Sequence, residues 1–135
     1  LLNELSYVCD TFRLQAEKSG LDFVSKCDSD VPEIAISDPT RIRQILFNLL
    51  GNAVKFTESG SVGLRVSYGK NGGSEHILVF TIEDTGCGIE PEKIEKIFEP
   101  FAQSDISISR KYGGTGLGLE LSNRLANLLG GQVMV

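Results

Sequence analysis

The chain is poor in most of what a metalloprotein, a membrane protein or a nucleic-acid binder needs. It has one histidine, and its three cysteines, Cys9, Cys27 and Cys87, share no metal-ligand spacing. Zinc sites of the usual kinds draw several such ligands from short intervals and are not expected here. An odd number of scattered cysteines points to a reducing compartment, a cytoplasmic one, rather than to a disulfide framework. No apolar stretch approaches the roughly 20 residues that cross a bilayer. The longest, Ile77 to Phe80, is strand-sized. No signal peptide opens the sequence, and there is no internal repeat or low-complexity tract. Net charge is −5, and the thirteen Lys and Arg form no run, which argues against a nucleic-acid surface. Direct contact with a membrane is likewise not expected.

What the chain does have is enough apolar residue for one core: 41% of 135 residues, the size of a single domain. Helical spacing of Leu1, Leu5, Val8 and Phe12 predicts a helix over Leu1–Lys18, stopped by Ser19-Gly20. Leu21–Cys27 reads as a strand and Ile34–Ile36 as a second short one. Asp38 and Pro39 then announce a helix running to about Phe56, with Asp38 as cap and Pro39 in the first helical position. Ile42, Ile45, Leu46, Leu49, Leu50, Ala53 and Phe56 make one apolar stripe along it. Arg41, Gln44, Asn48, Asn52 and Lys55 form a second, polar stripe, about 120° round at roughly 100° per residue. Asparagine suits a helix interior poorly, so the row is either a solvated face or a set of groups facing a ligand. In the second case amide oxygens could hold Mg²⁺ and the lysine could reach a phosphate.

Val62, Leu64 and Val66 alternate as a strand, Lys70–Ser74 is a turn, and Ile77–Glu83 is the returning strand of a hairpin. The period of two puts Leu78, Phe80, Ile82 and Asp84 on one face. Asp84 stands just before Thr85-Gly86-Cys87-Gly88. It either caps that turn or accepts a hydrogen bond from the amino group of a buried base. Pro91–Ile97 is a short helix stopped by Glu99-Pro100. The polar stretch Phe101–Gly114 is long enough to suggest a lid or binding loop, with Arg110 and Lys111 next to glycines. Gly113-Gly114-Thr115-Gly116-Leu117-Gly118-Leu119 leads into a helix over Glu120–Leu129, and Gln132–Val135 begins a strand. A glycine turn feeding a helix N-terminus suits phosphate. Yet the P-loop pattern is absent, and Leu121 stands where the dinucleotide fingerprint wants its third glycine.

Four stretches in order resemble a known family. They are Asn48 to Phe56 with Asn52 and Lys55, Asp84 to Gly88, Phe98 to Phe101, and Gly114 to Gly118. Together they are similar to the N box, first glycine box, F box and second glycine box of the sensor histidine kinase ATP-binding domain. The likeness extends over essentially the whole chain. The run from Glu99 to Gly116 is most similar to the hybrid type, which carries a receiver domain. The resemblance implies an α+β two-layer sandwich, the Bergerat fold, whose mixed, mostly antiparallel sheet is covered on one face by about three helices. It implies one domain over residues 1–135, which the family would continue through a further strand hairpin.

The same resemblance implies ATP and Mg²⁺ as cofactors. Asn52 matches the metal ligand, with Asn48 its helper one turn earlier. Asn48, Lys55 and Arg110 fall at catalytic positions. Phe56, Asp84, Gly86 and Gly88 match the adenine side, and Ile89 and Phe101 are further cofactor-binding positions. Lys111, Gly114, Thr115, Gly116, Leu117 and Gly118 match the lid and phosphate wrap. The implied partners are a histidine-containing dimerisation domain and a receiver domain. His76 lies at a strand start and is read as a surface residue, so the chain is expected to bind Mg·ATP without phosphorylating itself on histidine. Gyrase-like, mismatch-repair and chaperone ATPases of the same fold place a glutamate where Asn48 stands, and an amide takes no proton at neutral pH. That argues for phosphoryl transfer over an ATPase switch. A serine-directed kinase of related type would keep a similar pocket, and a non-catalytic interaction module would use a degenerate one only to bind a partner.

Overall fold

Asp38 accepts the backbone N–H of Thr40 at 2.9 Å and of Arg41 at 3.2 Å, and Pro39 follows in the first turn. A cap of this kind stabilises a helix by about 1 kcal/mol. It starts the central element, α2 (Pro39–Phe56), where the sequence places it. The structure, a computed structural model, describes residues 1–70, 76–94, 96–98 and 118–135. Before α2 come α1 (Leu2–Lys18) and β1 (Asp22–Cys27). After it come β2 (Ser61–Lys70), β3 (His76–Asp84), α3 (Pro91–Ile94), a 3₁₀ turn (Lys96–Phe98) and α4 (Gly118–Leu128).

The sheet order is β1-β2-β3. β1 pairs with β2 in parallel, with Phe23 opposite Val62, and β2 pairs with β3 antiparallel, with Val62 opposite Asp84. Val62, Leu64 and Val66 point to one face and are buried. The register puts Phe23 beside them on β1, and Phe80 and Ile82 on β3. α1 and α2 cover that face: Leu5, Val8, Phe12 and Ala16 from α1 meet Leu46, Leu50 and Ala53 from α2. Phe47 closes the seam between the helices, edge-on to Phe12 at 5.1 Å and stacked on Tyr7 at 6.2 Å. Above it Arg43 bonds Glu4 through two nitrogens, at 3.0 and 2.6 Å. α4 packs against α2. A mixed sheet with its helices on one face is the layered arrangement expected from the sequence.

Two expected strands do not form. Ile34–Ile36 has no ladder partner among the described residues, and Ile34 and Ile36 are 83% and 104% exposed. A short β-competent run without a neighbouring strand has nowhere to place its backbone hydrogen bonds. Gln132–Val135 likewise has no strand partner among the described residues; the Val133 N–H goes to the Asn123 side chain at 3.3 Å. The helix expected over Pro91–Ile97 is a single turn followed by the 3₁₀ turn. Gly130, at φ +78°, ends α4 as expected, with the Gly131 N–H reaching back to the Ala126 carbonyl at 2.9 Å. The expected turn at Lys70–Ser74 lies, past Lys70, outside the described residues.

Candidate functional site

The polar row of α2 changes character along its length. Arg41 and Gln44 are exposed and bond each other at 3.1 Å. Asn48, Asn52 and Lys55 are half-buried. The difference comes from α4. The Asn48 Nδ2 donates to the hydroxyl of Ser122 at 2.7 Å, and Ser122 is 1% exposed. One turn before Ser122, a Cβ on Gly118 would fall on the Asn48 carboxamide oxygen. A side chain there would displace the Asn48 carboxamide from its present place. The first turn of α4 therefore clasps Asn48 between a hydroxyl and a bare backbone. At the far end of the row the Lys55 ammonium lies 5.1 Å from the centroid of the Phe56 ring, within cation–π range.

A second glycine fixes the other end. A Cβ on Gly86 would sit 2.5 Å from the Phe56 carbonyl oxygen and 2.8 Å from Asp84 Oδ1. The turn after β3 thus lies directly against the end of α2. Asp84 Oδ1 accepts the Gly86 N–H at 2.9 Å, so of the two readings open at this aspartate, the turn cap is seen. Asp84 is exposed, and its other oxygen accepts nothing from the described residues. Thr85 pins the turn: its N–H donates to the Ser61 carbonyl at 3.1 Å, and its Oγ1 accepts the Ser61 N–H at 3.0 Å. Gly60, at φ +106°, is required next to it, because a Cβ would collide with the Thr85 hydroxyl. Thr57 ends α2 by donating to the Ala53 carbonyl at 2.7 Å. Gly88 turns at φ +70°, and Ile89 follows, exposed.

α2 is thus the meeting place. Asn48 and Gly118 come together at one point, and Phe56, Asp84 and Gly86 at another, two turns on; Asn52 and Lys55 lie on the helix between. Phe101, Arg110, Lys111, Gly114, Thr115, Gly116 and Leu117 lie outside the described residues. His76 is the exposed first residue of β3, stacked on Tyr68 at 5.2 Å. Among the described residues no group of three His, Cys, Asp or Glu could hold a metal, and no helix is long and apolar enough to cross a membrane. The row on α2 itself carries amide oxygens, those of Asn48 and Asn52. Two groups away from the row have shifted proton affinity. Burial raises the Cys9 thiol on α1, and a 2.7 Å hydrogen bond from Arg65 lowers the Asp28 carboxyl after β1.

Sequence reasoning missed Ser122. A signal existed: Ser122, Leu125 and Ala126 are the buried residues of α4, at i, i+3 and i+4, so a polar residue occupies the apolar stripe. A buried hydroxyl needs a partner, and Asn48 is that partner.

Residues 37–135 match the family described as "Histidine kinase-, DNA gyrase B-, and HSP90-like ATPase". Over 137 residues the chain is 44% identical to the hybrid signal transduction protein dokA of Dictyostelium discoideum, covering 100% of this chain and 8% of that protein. It is 38% identical over 133 residues to the signal transduction histidine-protein kinase BarA of Escherichia coli, covering 98% of the chain and 14% of BarA. The chain is therefore a small fraction of the length of these relatives. Among solved structures, full-length ShkA in complex with AMPPNP superposes with a TM-score of 0.79 at 38% identity, over 95% of this chain and 25% of that one. The nucleotide-free catalytic domain of histidine kinase ThkA gives 0.71 at 26% identity, over 94% and 78%.

Proposed function

Because this chain belongs to the family of histidine kinase-, DNA gyrase B- and HSP90-like ATPases, we propose that it is the ATP-binding catalytic domain of a sensor histidine kinase. One observation carries the reading. Gly86, where a Cβ would meet the Phe56 backbone, and Gly118, which lies against the Asn48 carboxamide, press on α2 at either end of a half-buried row of amides and a lysine. Residues 1–135 act as one domain. The Asp84 oxygen that the turn leaves unused takes the adenine amino group. Gly86 and Gly88 let the backbone close on the base, and Phe56, Ile89 and Phe101 line it. Lys55, Arg110 and Lys111 meet phosphate, and Gly114, Thr115, Gly116, Leu117 and Gly118 wrap it. Asn52 and Asn48 would offer amide oxygens to Mg²⁺, which when bound would supply positive charge against the charge that develops in transfer.

The chain's own part in transfer is positioning. The Asn48 amide takes no proton, so nothing at that position activates water for hydrolysis. The γ-phosphoryl group goes instead to a histidine on a dimerisation domain, and in a hybrid parent onward to a receiver domain. The domain works in the cytoplasm.

Calorimetric titration with ATP, with and without Mg²⁺, tests this. The wild-type chain binds in the micromolar range and more tightly with Mg²⁺. Asp84→Asn, which replaces a charge-assisted hydrogen bond with a neutral one, binds about tenfold more weakly or worse. A folded wild-type chain that binds no nucleotide contradicts the proposal.

A further inference from the structure

The clasp on Asn48 has a consequence for the metal. A carboxamide can turn about its last bond and present either its oxygen or its nitrogen. Only the oxygen can ligate a hard cation. In this structure the nitrogen end is committed: Nδ2 donates to Ser122 Oγ at 2.7 Å, while the oxygen lies beside Gly118 and accepts nothing from the described residues. Ser122 is itself held. It is 1% exposed, on the buried stripe of α4 with Leu125 and Ala126, so its oxygen is held in place.

We propose that Ser122 is a positioning residue: its buried hydroxyl takes the amide N–H of Asn48 and so leaves the Asn48 carbonyl oxygen for the magnesium of the bound nucleotide. This rests on the nucleotide reading above and deepens it. It also joins α4, which follows the glycine stretch, to the amide row of α2 by one hydrogen bond. Ser122 touches neither nucleotide nor metal. It acts through Asn48.

The effect to look for is confined to magnesium. Removing the partner that orients a ligand typically weakens a metal by 10–100-fold. Titration of the 135-residue chain with ATP, with and without Mg²⁺, is compared for wild type, Ser122→Ala and Ser122→Thr. Ser122→Ala loses about tenfold of the affinity that Mg²⁺ adds, while its affinity for metal-free ATP changes less than about twofold. Ser122→Thr, which keeps the hydroxyl, restores the magnesium increment. Thermal melting of each variant shows whether it is folded. If Ser122→Ala is not, Ser122→Cys, of similar size and a weak acceptor, takes its place with the same expected loss. Folded Ser122→Ala, or Ser122→Cys in its place, with the full magnesium increment overturns the proposal, and so does a folded Ser122→Thr that fails to restore it. So does an equal loss with and without Mg²⁺, which marks a structural role alone. Wild type binding no ATP instead sinks the nucleotide reading on which the proposal stands.

Discussion

Arg41 and Gln44, at the start of the polar row on α2, are exposed and bond each other, whereas Asn48, Asn52 and Lys55, further along it, are half-buried. The periodicity is the same in both halves. The residues differ in type, and the reason lies in what covers them. α4 and the turn after β3 lie over the second half and leave the first to solvent. In water, Arg and Gln are good helix formers and need no partner. Under cover, an amide must be placed, and Asn48 is placed by Ser122. One helical face can therefore be a solvated surface at one end and a binding surface at the other.

Substitutions along and beneath the row put this contrast at risk to different degrees. The largest effect belongs to the apolar face. Leu50→Ala, at a fully buried position, should lower stability by about 3 kcal/mol, read by urea denaturation, and it tests only the platform under the row. Gly86→Ala comes next. Its Cβ meets the Phe56 backbone oxygen at 2.5 Å, and a backbone atom cannot swing aside. Nucleotide affinity should fall more than about tenfold, because misplacing a positioning group by an ångström costs that much or more. Calorimetry on a variant shown to be folded reads it. The smallest effect is at the exposed end: Arg41→Ala should change stability by less than about 0.5 kcal/mol, as exposed pairs generally do, and ATP affinity not at all. A loss of about tenfold or more in the affinity of Arg41→Ala, the scale on which a positioning residue acts, would erase the contrast between the two halves.

Much of this architecture can be read from residue order. Asp38-Pro39 announces α2, and the alternation of Val62, Leu64 and Val66 against Phe80 and Ile82 gives the hairpin and its buried face. These are local signals, and local geometry decides them. What residue order leaves undetermined depends on neighbours distant along the chain. Ile34–Ile36 has strand composition but no adjoining strand among the described residues. Phe47 reads as an ordinary helix residue, yet it closes the seam between α1 and α2 with Phe12 and Tyr7. At Asp84 the sequence allows two readings, and the bond to Gly86 satisfies one oxygen without spending the other. Ser122 and Asn48 are 74 residues apart, and no periodicity links them.

Whether the covered half of the row faces the nucleotide can be decided by following side-chain amide signals in NMR spectra as Mg·ATP is added. The carboxamide resonances of Asn48 and Asn52 should shift strongly, and that of Gln44, on the same helix face but in solvent, should stay in place. Shifts at Gln44 with Asn48 and Asn52 unmoved would mean that the nucleotide does not meet this part of α2.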